Sequence, residues 1–338
     1  MKKIKIEEAI GKELCHDITA MYNGFKGAIF KRGHIIEESD VSKLLEIGKE
    51  HIYIWEENDY DIHEEDAAIR LSNMTNVDNA HYTDVSEGKI LLIADTEGMF
   101  VVDKNLLDKI NMIGDITIAT IPNHYHVHKG DRLASMRIVP LFTKEEQIIE
   151  ADNLCKNKKL YDLITFKYKK VGVVITGSEV YNNRIKDKFE PVCREKLSKY
   201  PCDILSVVKC DDNIQMIEDS INNQIDNGAN FIICTGGMSV DPDDVTPIAI
   251  KNIGADIISH GVPAQPGNMT LVAYKNDIPI IGVPGAAISL PTTIFDVLLP
   301  QIFSDIKFSK KDLINLGSSG LCQMCKVCHY PNCTFGKY

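Results

Sequence analysis

The sequence predicts an α/β protein: a three-layer domain on a mixed, mostly parallel sheet, preceded by a β-rich, α+β amino-terminal region. Two features of the sequence carry that reading. From Tyr168 onward the apolar runs Val171-Gly-Val-Val-Ile, Ile204-Leu-Ser-Val-Val and Phe231-Ile-Ile-Cys read as strands, and the segment between the second and third has helical spacing. Before Tyr168 the apolar runs are short and broken by turn residues, the pattern of small sheets. The length of 338 residues, with 44% hydrophobic and 25% charged residues, allows two or three domains with buried cores.

Taken in order, residues 1–88 read as an α+β region. Gly27 to Gly33 is a strand and turn, and Glu37 to Gly48 a helix carrying Val41, Leu44, Leu45 and Ile47. Glu56 to Glu65 is an acidic, solvated connection, followed by a short helix from Glu65 to Asn73. Residues 89–142 form a β-rich region with strands at Ile90–Ala94, Met99–Val102, Ile116–Ile121 and Leu133–Val139. The spacing of Ile148, Ile149, Leu154, Leu160 and Leu163 predicts one connecting helix over 143–167. Residues 168–308 are the α/β domain. Its helix with Ile214, Ile217, Ile221 and Ile225 on one face ends at Gly228; a short helix follows at Val245–Ile253, then a hairpin (Met269–Tyr274, Ile278–Val283) and a last helix from Ala287 to Phe303. Residues 309–338 form a cysteine-rich tail.

Composition narrows the function. A formal charge of −11, from 37 Lys+Arg against 48 Asp+Glu, argues against nucleic acid or an anionic membrane as partner, so an anionic ligand must be met by a local pocket. The charged start Met1-Lys-Lys-Ile-Lys-Ile-Glu-Glu lacks the apolar core of a signal peptide, and Pro279, Pro284 and Pro291 interrupt the longest uncharged stretch. A cytoplasmic protein is expected, and its ten cysteines are then free, metal-bound or redox-active rather than disulfide-paired.

Ligands of α/β sheets sit beyond the carboxyl ends of the strands, which selects four loops. They are Thr176-Gly177-Ser178-Glu179, Thr235-Gly236-Gly237-Met-Ser239-Val-Asp241-Pro-Asp243-Asp244, Gln265-Pro266-Gly267 and Val283-Pro284-Gly285-Ala-Ala-Ile-Ser289. Gly236 and Gly237 let backbone N–H groups approach a phosphate, and Thr235 and Ser239 add hydroxyls. Asp241, Asp243 and Asp244 would repel that phosphate unless Mg²⁺ or a proton intervenes. Equally, Asp-Pro-Asp-Asp suits a helix cap, Glu179 a solvated helix start, and the two Pro-Gly pairs ordinary turns.

Together these segments resemble the molybdopterin-binding domain of the MoeA- and MogA-like proteins, nearest in order and spacing to the molybdopterin molybdenumtransferases, over Tyr168 to Phe308. The resemblance implies a site for molybdopterin or its adenylylated form, with the Gly236–Gly237 loop near the pyrophosphate. It implies functional acids at Asp244, Glu179 and Asp187, molybdate near Pro266 and Ser289, and a homo-oligomer whose partners would be molybdoenzymes or other proteins of cofactor biosynthesis. Asn268 stands where the family carries a lysine, which removes a cation suited to an oxyanion. Molybdate insertion is the first expectation and a non-catalytic carrier or sensor of the cofactor the second. Thr235-Gly-Gly with Asp243-Asp-Val-Thr246 also resembles the CinA-type nucleotide hydrolases, so pyrophosphate cleavage is a third.

Cys322, Cys325, Cys328 and Cys333 place four thiols within 12 residues, suited to Zn²⁺ or an iron–sulfur cluster. Gly317-Ser-Ser-Gly before them reads as a flexible linker, and a disordered thiol tail is the alternative. His124, His126 and His128 would share one face of a strand; with no carboxylate beside them in sequence, a solvated strand edge is the expectation.

Overall fold

The computed structural model describes residues 2–22, 25–54, 61–239 and 241–337. The amino-terminal unit contains β1 (Lys2–Lys5), β2 (Ile18–Tyr22), β3 (Phe25–Phe30), α1 (Glu38–Glu46) and β4 (His51–Ile54). Antiparallel pairs β1·β4 and β2·β3 enclose a small core of Ile4, Ile6, Leu14, Ile18, Leu44 and Ile52. Residues 56–60 of the expected acidic connection lie outside the described residues. Its far end is ordered: β5 (Asp61–His63) leads directly into α2 (Glu64–Asn73).

The middle unit follows as β6 (Ala80–Tyr82), β7 (Lys89–Ala94), β8 (Gly98–Val102), α3 (Lys104–Asn111), β9 (Ile116–Thr120), β10 (Tyr125–Val127), β11 (Arg132–Ile138), β12 (Phe142–Lys144), α4 (Glu145–Cys155) and β13 (Tyr161–Thr165). Its sheets run β6-β7-β11-β9 and β10-β8-β13, both antiparallel. The helix expected over 143–167 stops at Cys155. Leu163 lies on β13, which pairs with β8, and Leu160 just before it; both are buried in the middle core, not by a helical face. Asn157 at φ 62° turns the chain, and the polar Lys156-Asn-Lys-Lys stretch gives a helix nothing to bury.

The α/β layer comprises β14 (Lys169–Thr176), α5 (Ser178–Tyr181), α6 (Phe189–Leu197), β15 (Cys202–Cys210), α7 (Ile214–Asp226), β16 (Phe231–Thr235), α8 (Thr246–Asn252), β17 (Asp256–His260), β18 (Leu271–Lys275), β19 (Ile278–Val283), α9 (Ala286–Ser289), α10 (Ile294–Phe303) and α11 (Lys310–Asn315). The sheet order is β15-β14-β16-β19-β18-β17; the first four strands are parallel, and β18 runs antiparallel to both neighbours. This is the expected α/β class with a mixed, mostly parallel sheet. Side-chain alternation feeds two cores. Val171, Val173, Ile175 and Ile233 face α10, whereas Val174, Ile232 and Cys234 face α7 and α8. Among the described residues no helix is long and apolar enough to cross a membrane.

The last expected helix is two. Leu290 is extended (φ −120°, ψ 137°), the conformation that the following Pro291 favours, and Thr293 with Asp296 builds a capping box that starts α10 afresh. Inside that box lies a buried ion pair. Lys196 Nζ on α6 donates to Asp296 Oδ1 and Oδ2 at 2.7 and 2.8 Å and to the Pro291 carbonyl at 3.1 Å.

The tail is not a flexible extension. Gln265 and Leu321 form a bridge, with Gln265 N–H donating to Gly320 O at 2.6 Å and Cys322 N–H to Gln265 O at 2.8 Å. A Cβ on Gly320 would sit 2.2 Å from Pro263 O, so glycine here permits close approach of two backbones rather than mobility. Phe335 is buried in the α10 core, and the Tyr330 hydroxyl donates to Asp296 O at 3.1 Å. The apolar residues beyond the cysteines thus tie the segment down.

Candidate functional site

The carboxyl ends of β14 and β16 meet. Thr176, the last residue of β14, shares a 3.0 Å hydrogen bond with Thr246 and donates to Thr235 O at 3.2 Å, which closes the floor of the cleft. Gly236 (φ 88°) and Gly237 (φ 55°) carry the chain over that floor. A Cβ on Gly236 would lie 2.1 Å from Thr176 O, a backbone atom that cannot yield. Gly236→Ala is therefore expected to cost at least about 1–3 kcal/mol of domain stability and to abolish ligand binding. Denaturant unfolding and ligand titration of the variant check both.

Above the floor opens a cavity of about 1130 Å³. Thr176, Gly177, Ser178 and Glu179 form one wall, and Gly236, Gly237, Asp241, Asp243 and Asp244 the other. Four of the expected acids thus face one space: Glu179, Asp241 and Asp243 are exposed and Asp244 is half-buried. The capping alternative for these aspartates is not what forms: the residue before α8 is Val245, and no side chain caps the helix. Instead Asp244 N–H donates to Asp241 O at 3.0 Å, a turn that leaves the carboxylates outward. Thr235 is fully buried and its hydroxyl has no hydrogen-bond partner among the described residues.

Other expected residues stand elsewhere. Asp187 is buried outside the cavity wall; its carboxylate accepts from Phe189 N–H at 2.7 Å and lies 3.9 Å from Lys209 Nζ, so it holds the start of α6. Ser239 is exposed beyond the lining. Gly267 packs against Ile294, and Pro266 O accepts from Ile294 N–H at 3.1 Å, so this loop anchors α10. Pro284, Gly285 and Ser289 miss the lining too; their loop reaches the cavity through Ile288. The structure thus brings the loops after the two central strands, β14 and β16, to one cavity and sets the Pro266 and Pro284 loops beside it. The Gln265–Gly267 connection follows β17 at the far edge of the sheet, two strands beyond β19, and its backbone is taken up there by Ile294 of α10 and Cys322 of the tail.

Three lining residues escaped the sequence reading. Asp212 accepts from Ser178 N–H at 2.8 Å, its neighbour Asp211 accepts from the Ser178 hydroxyl, and Lys186 and Lys188 add cations. The strand-end rule applied to β15 would have found the first, because Asp211-Asp212 follows Cys210 directly. Nothing in the spacing marks the two lysines.

A second cavity of about 510 Å³ lies under the tail and is lined by all four cysteines of the motif together with Leu290, Pro291 and Thr292. Cys322 and Cys333 are half-buried and Cys325 and Cys328 exposed; Cys328 Sγ lies 3.2 Å from the Thr292 hydroxyl. Among the described residues these sulfurs do not form a three-ligand group; Glu97, His126 and His128 do, with ligand atoms that lie within 4.8 Å of one another. The histidine stripe does have a carboxylate beside it, brought by β8, whereas His124 stands apart at φ 56°.

Residues 172–304 match the family described as a probable molybdopterin binding domain, and residues 3–56 match a domain of unknown function, DUF8806. The first of these matches falls on the α/β layer. A molybdopterin molybdenumtransferase of Bacillus subtilis (strain 168) is 28% identical over 123 residues, covering 34% of this chain and 28% of its own length. A CinA-like protein of Mycobacterium tuberculosis (strain ATCC 25177 / H37Ra) is 29% identical over 90 residues, 26% of this chain and 21% of its own. Among solved structures, the tungsten cofactor synthesizing protein MoaB from Pyrococcus furiosus aligns over 40% of this chain and 94% of its own, with TM-score 0.36 and 19% identity. The cavity between β14 and β16 lies inside the molybdopterin-binding-family segment, and the cysteine tail lies outside it.

Proposed function

We propose that the chain binds adenylylated molybdopterin in the cavity between β14 and β16 and transfers molybdate to it. The observation that carries this reading is the meeting of a two-glycine turn, hydroxyls, carboxylates and two lysines in one cleft within the matched segment. Gly236 and Gly237 would bring backbone N–H groups to the pyrophosphate, with Lys186 and Lys188 offsetting its charge. The donor set fits Mg²⁺: Glu179 and Asp244 line one cleft, and an ion held by one or two carboxylates completes its shell with phosphate oxygens and water. Asp244 and Glu179 would hold it, and when bound it supplies electrophilic charge at the pyrophosphate. The same acids would orient or deprotonate a water there, while Asp212 fixes Ser178 and with it the β14 wall. Asp187 takes only a positioning part, through α6.

Molybdate would enter from the side of Pro266 and Ser289, where the loop 284–293 and the tail come together. The four cysteines would act beside it as a Zn²⁺, iron–sulfur or redox element. Magnesium-dependent release of AMP from adenylylated molybdopterin, raised by molybdate, is the expected result. Tight pterin binding without AMP release would instead favour the carrier, and hydrolysis of a dinucleotide without pterin binding the CinA-like activity.

A further inference from the structure

We propose that Glu97, His126 and His128 form a binding site for a divalent first-row transition ion, with Asp131 as the outer carboxylate that orients His128. The register makes the site. Gly98 on β8 pairs with Val127 on β10, so Glu97, one residue before the pair, falls opposite His128, one residue after it. His126 lies two residues from His128 and shares its face, and the two rings stack with centroids 4.8 Å apart.

The ligand atoms converge. Glu97 Oε1 lies 2.7 Å from His126 Nε2 and 3.7 Å from His128 Nε2. Two ligands at about 2.0–2.1 Å from a tetrahedral ion stand ~3.3 Å apart. The two distances straddle that value by a few tenths of an ångström each, within reach of small side-chain rotations. Asp131 Oδ2 lies 3.8 Å from His128 Nδ1 and is itself fixed by accepting from His128 N–H at 2.7 Å. At 3.8 Å that carboxylate is not hydrogen-bonded to the ring; a small rotation of His128 on ligation would bring it onto the far nitrogen, where a carboxylate fixes the tautomer of a metal-bound imidazole. His126 is held from behind, its ring edge-on to Phe166 at 4.8 Å and 5.6 Å from Tyr200, whose ring stacks on Phe303 of α10. Two imidazoles and one carboxylate suit Zn²⁺, Co²⁺ or Fe²⁺ and leave positions open on the solvent side, where Glu97 and His128 are exposed. An ion here would clamp the β7–β8 turn and β10 against the aromatic seam that joins the middle unit to the α/β domain.

The test is Co²⁺ titration of the full chain carrying Cys→Ser at positions 322, 325, 328 and 333, so that ligation by the tail thiolates cannot contribute; thiolate charge-transfer absorption would report any binding at the six remaining cysteines. The expected result is one equivalent bound, with weak visible absorption of nitrogen and oxygen ligation, a rise in thermal midpoint, and reversal by EDTA. Glu97→Gln and His128→Ala, both at exposed side chains, should abolish the absorption; Asp131→Asn should weaken binding about 10–100-fold. If the Cys→Ser chain does not fold, wild-type protein with alkylated tail cysteines serves the same titration. No saturable uptake, or uptake that Glu97→Gln and His128→Ala leave unchanged, overturns the site.

Discussion

Asp244→Ala is expected to lower magnesium-dependent AMP release by about 10²–10⁴-fold while leaving the domain folded. The second half follows from the surroundings of the residue. Asp244 is half-buried, its carboxylate accepts no hydrogen bond among the described residues, and its structural contact is the backbone bond to Asp241. The turn therefore survives truncation, and circular dichroism and thermal unfolding should match the parent chain. The first half follows from charge: among Glu179, Asp241, Asp243 and Asp244, Asp244 is the least exposed, where a carboxylate interacts most strongly with a cation. Asp243→Ala, at a fully solvated position, should have a smaller effect. Pterin affinity of the Asp244 variant should change less than turnover, and turnover equal to the parent's would remove Asp244 from the chemistry.

Asp296→Ala is expected to destabilise the α/β domain by about 3–5 kcal/mol, because Lys196 is left buried with one carbonyl as partner. The carboxylate also accepts from Thr293 N–H at 2.8 Å, so the capping box of α10 loses its reciprocal half while the Thr293 side chain still caps Phe295 N–H, a further contribution of up to about 1 kcal/mol. Replacing both partners, Lys196→Met with Asp296→Leu, should recover much of the loss, since the penalty is that of an orphaned charge. The chain carries several cores, so the relevant signal is the unfolding transition of the α/β domain rather than one global midpoint. Equal stability of Asp296→Ala and the double variant would show that desolvated charge is not the cause.

The parts of this architecture that were legible in sequence are those whose burial is two-sided. Val171–Ile175 and Phe231–Cys234 are apolar throughout because both faces of the sheet are covered, and no helix or loop reading competes. The edge strand β17, Asp256-Ile-Ile-Ser-His260, has one fully buried residue and left little trace. Leu160 and Leu163, three apart, mimic a helical stripe, although they lie just before and within an extended strand and are buried in the middle core. In the candidate site, the glycine turn and the aspartates were legible because their spacing is local. Lys186 and Lys188 sit in an irregular segment with no period to read. Glu97 lies 29 residues from His126, and only the β8–β10 register brings them together. The Thr293–Asp296 capping box was readable in principle, and with Pro291 it marks the break that separates α9 from α10.

The loop 284–293 is a wall common to two cavities, with Ile288 lining the one beneath Gly236 and Leu290 to Thr292 the one beneath the cysteines. Two sites that share a wall obey reciprocity wherever an occupant of one shifts that wall. A ligand that prefers one position of Ile288 must change the affinity of the cysteine cavity for its own occupant by some factor, and that occupant must change the first affinity by the same factor. Reduction, oxidation or metallation of the tail would then be readable as a shift in pterin affinity, with no contact between the two ligands.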